Sequence, residues 1–203
     1  MLGFWSFSRR YFAVHAAARP IVLIGMMGAG KSSVGRLLAR RTGLSCFDTD
    51  ELVAAEFGLS IPDIFARHGE GRFRDAETEV LRKLFLPQPT IIVTGGGIVV
   101  CAENVDLLKR LGTIVWLTAD EATLFERASR RGERPLLRTA DPRATFSELL
   151  GQRQPLYAAA ADFKIDTSSL SHDEIADEIL HKIGSARPPG APESARAIVT
   201  GSK

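Results

Sequence analysis

The chain has 203 residues, of which 45% are hydrophobic, 25% charged and 7% aromatic, enough for one domain with a sizeable core. Its 26 Lys and Arg nearly balance 24 Asp and Glu, a formal charge of +2, without the one-sided basic excess of a nucleic-acid binder. Two cysteines, no apolar run of spanning length and ordinary Gly and Pro content exclude disulfide scaffolds, four-ligand zinc sites, membrane-spanning helices, collagen and wholesale disorder.

In chain order, residues 1–18 come first, with Arg9, Arg10, no acid and an apolar stretch Tyr11–Ala18. The composition superficially fits a targeting peptide, but the apolar run is short, and the segment reads as an arm, disordered or partly helical. Ile21–Ile24 is an apolar run of strand length, and Val34, Leu37 and Leu38 then recur at helical spacing. Ser45–Phe47 is a shorter strand candidate, followed by the helical pattern Ala76, Val80, Leu81, Leu84. Thr90–Val93, Thr113–Leu117 and Phe163–Ile165 are further strand candidates, and Ile175, Ile179 and Ile183 mark a last helix. Residues 185–203, with Pro188, Pro189, Gly190 and Pro192 and no apolar period, read as a disordered tail.

Uninterrupted apolar strands alternating with amphipathic helices predict a buried parallel sheet covered on both faces. The expected architecture is an α/β fold, a three-layer α/β/α sandwich around five parallel strands. Ligands of such sheets bind at the carboxyl ends of the strands, so the residues that follow each run carry most of the functional information.

After Ile21–Ile24 comes Gly25-Met26-Met27-Gly28-Ala29-Gly30-Lys31-Ser32, a complete G-x-x-x-x-G-K-[ST] match between a strand and a helix. Its glycines let successive backbone N–H groups turn inward around phosphate, and the helix that starts near Lys31 adds its positive end. Lys31 can reach the β- and γ-phosphates of a nucleotide, and the Ser32 hydroxyl can ligate Mg²⁺. No N/T-K-x-D segment for reading guanine is present, and Thr90–Val93 ends in Thr94-Gly95-Gly96-Gly97 rather than in an acid. The metal's acidic partner therefore comes from another strand.

Asp48-Thr49-Asp50 supplies two carboxylates two residues apart, which an extended backbone would point the same way. One can serve the metal while the other holds a substrate hydroxyl and accepts its proton; the competing reading is a helix cap. In Phe73-Arg74-Asp75-Ala76-Glu77, expected to open a helix, Arg74 and Glu77 share a face, so the carboxylate can pin the guanidinium. A pinned arginine suits a substrate carboxylate, although an isolated pair of this kind is usually a surface salt bridge. Phe65 and Phe73 are expected near the same region. Gly95, Gly96 and Gly97 allow a ligand to approach bare backbone at a strand end.

Residues 127–153 hold seven arginines, at 127, 130, 131, 134, 138, 143 and 153, interrupted by Gly132 and Pro135. A basic mobile lid over about residues 127–143 would neutralise phosphoryl charge and exclude water. The whole chain favours arginine, with 20 Arg against 6 Lys, so most of the seven are expected to be solvated. Arg134 and Arg153 stand out because each precedes a Pro-Leu segment. The four histidines show no ligand spacing and receive no role; Cys46 and Cys101 read as buried or neutral thiols.

Together, Gly25–Ser32, Phe47-Asp48-Thr49-Asp50, Phe73–Glu77, Gly95–Gly97, Arg134-Pro135-Leu136-Leu137 and Arg153-Gln154-Pro155-Leu156-Tyr157 resemble the shikimate kinase family in order, over about residues 19–184. The resemblance implies a P-loop NTPase fold of the nucleoside monophosphate kinase type and transfer of the ATP γ-phosphoryl to the 3-hydroxyl of shikimate, in aromatic amino-acid synthesis. By position it implies catalytic roles for Lys31, Asp50 and Arg134. ATP would be bound by Gly28, Ala29, Gly30, Lys31, Ser32, Ser33, Arg127 and Arg134, with Arg127 against the adenine. Shikimate would be bound by Asp50, Arg74, Gly95, Gly96, Gly97 and Arg153, and Mg²⁺ by Ser32 and Asp48. It further implies a cytoplasmic monomer whose partners are ATP and shikimate, not nucleic acid or membrane. Ser33 replaces a threonine common in the family, and Ser168-Ser169-Leu170-Ser171 departs from the usual segment near the adenine. The rival readings are a gluconate kinase, which should lack the paired arginines and triple glycine, and a regulatory module that has lost phosphotransfer, which should show decay at Lys31, Asp48, Asp50 or Arg134.

Overall fold

The computed structural model describes residues 19–84, 88–130 and 134–185; the arm at 1–18, the tail beyond 185 and Arg131–Glu133 of the expected lid lie outside these. The strands are β1 (Ile21–Ile24), β2 (Cys46–Asp48), β3 (Ile91–Val93), β4 (Thr113–Thr118) and β5 (Phe163–Asp166). The α-helices are α1 (Lys31–Thr42), α2 (Thr49–Phe57), α3 (Ile61–Lys83), α4 (Ala102–Leu111), α5 (Glu121–Ser129), α6 (Pro142–Ala160) and α7 (His172–Ser185), with short 3₁₀ turns at Ile98–Val100 and Pro135–Leu137. Strand order is β2-β3-β1-β4-β5 and every pairing is parallel. Sequence patterning placed each strand to within two residues at its ends, and the expected five-stranded α/β sandwich is the fold observed.

The sheet is parallel because each crossover carries a helix. That arrangement covers both faces, which is why Ile21–Ile24 is apolar at every position and wholly buried. The core runs from this strand through Ile91, Ile92, Val115 and Leu117 to Leu38, Phe146, Tyr157 and Ile179 on the covering helices. A second apolar cluster, Val53, Ile64, Phe73, Ala76 and Val80, holds α2 against α3. This lobe carries Asp50, Arg74 and Glu77 on a small core of its own.

Two local features correct the reading from sequence. Thr49 starts α2, so Asp50 lies in a first helical turn rather than in an extended segment, and Asp48 caps the helix by accepting from the Asp50 N–H at 3.0 Å. The Phe73–Glu77 stretch does not open α3. Helical geometry breaks earlier, at Gly69 (φ 76°, ψ 168°), a conformation essentially confined to glycine. Arg74 therefore sits one turn beyond a backbone break.

The phosphate-loop helix lies close on the sheet. A Cβ on Gly35 of α1 would collide with Val93 Cγ2 and stand 3.4 Å from Cys46 Sγ. Gly35→Leu is therefore expected to destabilise the protein by roughly 1–3 kcal/mol through overpacking, read as a lower thermal midpoint. An unchanged midpoint would show that α1 can move off the sheet without cost.

Candidate active site

The strand order brings the carboxyl ends of β2, β3 and β1 side by side. In register, Asp48 pairs with Val93 and Val93 with Leu23. The acid missing from the end of β3 is thus supplied by its neighbour, one strand away from the phosphate loop. Ser32 Oγ donates to Asp48 Oδ2 at 3.2 Å, which brings a hydroxyl and a carboxylate together beside the loop. Among the described residues no cluster of three or more His, Cys, Asp or Glu could hold a metal alone. A single hydroxyl–carboxylate pair fits a Mg²⁺ ion that takes most of its ligands from phosphate and water.

Between β1 and α1 the loop turns at Gly28 (φ 87°), where a side chain would run into the Leu124 carbonyl of α5. Lys31 is buried and donates to the carbonyls of Gly25 at 2.7 Å and Met26 at 3.1 Å. Burial lowers its pKa to about 8, with Asp50 opposing that shift and Arg134 adding to it. A cleft of about 630 Å³ runs from this loop past Asp48, Asp50 and Arg134 to Arg127, Thr167, Leu170, Ser171 and His172, a volume suited to a nucleotide. Arg127 donates to the side chain and carbonyl of Thr167, both at 3.1 Å, so its guanidinium is anchored to the end of β5.

A narrower recess of about 80 Å³ adjoins the cleft, lined by Asp50, Phe65, Phe73, Arg74, Glu77, Gly95, Gly96, Gly97, Arg134 and Arg153 among others. Every acceptor-side residue singled out from sequence meets here. Arg74 donates to the fully buried Glu77 at 2.6 Å and, through Nη2, to Glu70 at 2.7 Å. Burial works against the Arg74 charge, but the two carboxylates more than offset it and raise its pKa. The surface-salt-bridge reading of this pair is excluded by the burial of Glu77.

The glycines make room for these charges. A Cβ on Gly95 would lie 2.5 Å from Asp50 Oδ1 and 2.7 Å from Glu77 Oε1, and one on Gly97 would lie 2.5 Å from the Arg74 guanidinium carbon. The Gly95 N–H donates to Thr49 Oγ1 at 3.2 Å, tying the turn to the Asp-Thr-Asp segment. Asp50 Oδ1 and Glu77 Oε1 are buried without a hydrogen-bond donor. Burial pushes Asp50 up to about 6 and Glu77 up to about 7, helped in Asp50 by the charge of Asp48. Arg153 is buried, and burial pulls its pKa down. Of the other arginines of 127–153, Arg130, Arg138 and Arg143 are exposed, whereas Arg127 and Arg134 are half-buried.

Glu70, Thr49, Tyr157, Thr167 and His172 were not assigned roles from sequence. Glu70 was detectable, four residues before Arg74 on the same helical face. His172 carried no signal, because only the fold brings the start of α7 to the nucleotide cleft.

A nucleotide-sized cleft on a phosphate loop that opens into a recess too small for any macromolecule defines the class, a P-loop kinase of a small acceptor. The sequence model of the shikimate kinase family matches residues 27–184. The shikimate kinase of Bradyrhizobium diazoefficiens is 42% identical over 166 residues, covering 82% of this chain and 80% of that protein. That of Thermodesulfovibrio yellowstonii is 44% identical over 160 residues, covering 79% and 92% respectively. Among solved structures, the shikimate kinase of Acinetobacter baumannii in complex with shikimate matches with a TM-score of 0.78 at 37% identity, over 82% of this chain and 93% of that one. The chain belongs to the shikimate kinase family.

Asp50 also sets a pH dependence. Its carboxyl holds a proton to about pH 6 in the fold against 3.8 ordinarily, so between those values the folded state binds more protons than the unfolded state. Stability contributed by protonated Asp50 is therefore lost as pH rises through that window. Asp50→Asn is expected to be more stable than the parent by about 2 kcal/mol near pH 8, with the difference vanishing near pH 4. Urea unfolding at the two pH values checks this; equal stability at both would show that Asp50 is well solvated.

Proposed function

We propose that this site transfers the γ-phosphoryl of ATP to the 3-hydroxyl of shikimate, giving shikimate 3-phosphate and ADP on the route to chorismate and the aromatic amino acids. The observation that carries the acceptor is the recess, where Arg74, Arg153 and Asp50 converge beside a phosphate loop, with Arg134 at its junction with the cleft. One carboxylate and several ring hydroxyls are what that set would hold. We take residues 19–184 as the kinase domain, acting as a monomer in the cytoplasm, where ATP is available; among the described residues no helix is long and apolar enough to cross a membrane.

In this reading the backbone of Gly28, Ala29 and Gly30, with Ser32 and Ser33, wraps the phosphates, and Lys31 lies along the β- and γ-oxygens. Ser32 and Asp48 hold Mg²⁺, which when bound neutralises charge on the phosphates. Arg127, anchored on Thr167, flanks the adenine. Arg134 lines both cleft and recess and meets the transferring phosphoryl group from the lid side, where a guanidinium stabilises the charge that spreads over its oxygens.

Arg74, held by Glu77 and Glu70, and Arg153 take the shikimate carboxylate, and the Gly95–Gly97 backbone faces the ring. Asp50 accepts a hydrogen bond from the attacking hydroxyl and then its proton. A carboxyl that titrates near 6 is ionised at neutral pH yet basic enough to share that proton as the new bond forms.

ADP release should depend on shikimate and be absent with gluconate or with no acceptor. Asp50→Asn is expected to lower kcat by roughly 10²–10⁴-fold with the ATP KM little changed, whereas Arg153→Ala should act mainly on the shikimate KM. Release with gluconate alone, or unchanged turnover in Asp50→Asn, would overturn the assignment.

A further inference from the structure

Every backbone polar group of the Gly95–Gly97 turn can be accounted for. The Gly95 N–H donates to Thr49 Oγ1. The Gly95 carbonyl accepts from the Ile98 N–H at 3.3 Å, and the Gly97 carbonyl from the Val100 N–H at 3.0 Å. The Gly96 carbonyl accepts from the hydroxyl of Tyr157, 61 residues further along the chain. Among the described residues nothing accepts from the N–H of Gly96 or of Gly97. All three carbonyls are taken, and two successive N–H groups are left in a turn that lines the recess. Successive free N–H groups favour an anion.

Tyr157 approaches this turn from the core. It lies in α6, is fully buried, and stacks on Trp116 of β4 with ring centroids 5.9 Å apart. It lines neither the cleft nor the recess. A phenol has one proton to give, and the Gly96 carbonyl is a stronger acceptor than Met26 Sδ, which lies 3.9 Å from the same oxygen. No peptide bond is cis among the described residues, so the C=O and N–H of one peptide plane point opposite ways. With the Gly96 carbonyl aimed at the core, the Gly97 N–H in the same plane is aimed away from it, toward the recess side of the turn.

The turn does not secure that orientation by itself. The Gly96–Gly97 peptide has no Cβ on either side, so little steric resistance keeps it from turning over. Turned over, it would present a carbonyl oxygen to the recess, and an acceptor carboxylate would meet partial negative charge in place of a donor.

We propose that Tyr157 is a positioning residue for the acceptor: its hydroxyl holds the Gly96–Gly97 peptide with the carbonyl toward the core, and so keeps the Gly97 N–H presented to the acceptor carboxylate. The proposal rests on the reading of the recess given under Proposed function. A donor oriented before the acceptor arrives spares binding the cost of ordering it. Removing the hydroxyl would leave the ring on Trp116 and the core filled, while taking from the Gly96 carbonyl its donor.

Tyr157→Phe, with Trp116→Phe as a packing control, tests this by steady-state kinetics and by calorimetric titration with shikimate. Tyr157→Phe is expected to raise the shikimate KM and Kd roughly 3- to 30-fold, with the ATP KM within about twofold of the parent. Trp116→Phe disturbs the stack but keeps the hydroxyl. It is expected to lower the thermal midpoint while the shikimate KM stays within about twofold of the parent. A shikimate KM close to that of the parent in Tyr157→Phe, a parallel rise in both KM values, or an equal rise in Trp116→Phe would overturn the proposal. Absence of shikimate-dependent turnover in the parent protein would instead remove the acceptor assignment, and this role with it.

Discussion

The site depends on holding like and unlike charges at close quarters out of water. Glu77 is wholly buried, Arg74 donates to it at 2.6 Å, and Arg153 is buried nearby. Charges in such a place are tolerable only with partners and short distances. Gly95 and Gly97 supply the distances, since a side chain at either position would occupy the space taken by Asp50 and Glu77 or by the Arg74 guanidinium. The glycine turn is thus a space-making element for an electrostatic site.

The sheet makes this arrangement possible. The β2-β3-β1 order aligns an acidic strand end, a glycine turn and a phosphate loop on one edge. The arginines then come from α3 and α6, elements free to carry long side chains over that edge. The cost lies in desolvation, since burial shifts Lys31, Asp50 and Glu77 each toward the neutral form. A site built in this way opposes folding stability at the positions it needs most, and the apolar cluster around Phe73 and Ile64 offsets part of that opposition locally.

Much of this was legible in the sequence. The three central runs gave β1, β3 and β4 because a strand buried on both faces must be almost wholly apolar. The edge strands β2 and β5 were shorter signals that carry polar residues and stay partly exposed, and the phosphate loop is a local pattern set by backbone geometry. The Asp-Thr-Asp segment was read with the wrong backbone, extended rather than turning into a helix. The cap and ligand readings were treated as alternatives, whereas Asp48 caps α2 and hydrogen-bonds Ser32 at once. The break at Gly69 was hidden because its neighbours keep helical character on both sides. Tyr157 and His172 were beyond reach, since their contacts cross 61 residues in one case (Tyr157 to Gly96) and depend on where α7 begins in the other. Local chemistry is written in the sequence at short range, and pairings set by packing are not.

The most direct test of the arginine recess is to change the acceptor and leave the protein intact. With MgATP, shikimate and its methyl ester differ in the charge that Arg74 and Arg153 are proposed to meet and in one added methyl group. A guanidinium pair that binds a carboxylate should make the ester at least about 100-fold poorer in kcat/KM, a loss of about 2.7 kcal/mol of transition-state binding. Equal turnover of acid and ester would contradict that recognition and leave Arg74 and Arg153 with a purely structural role.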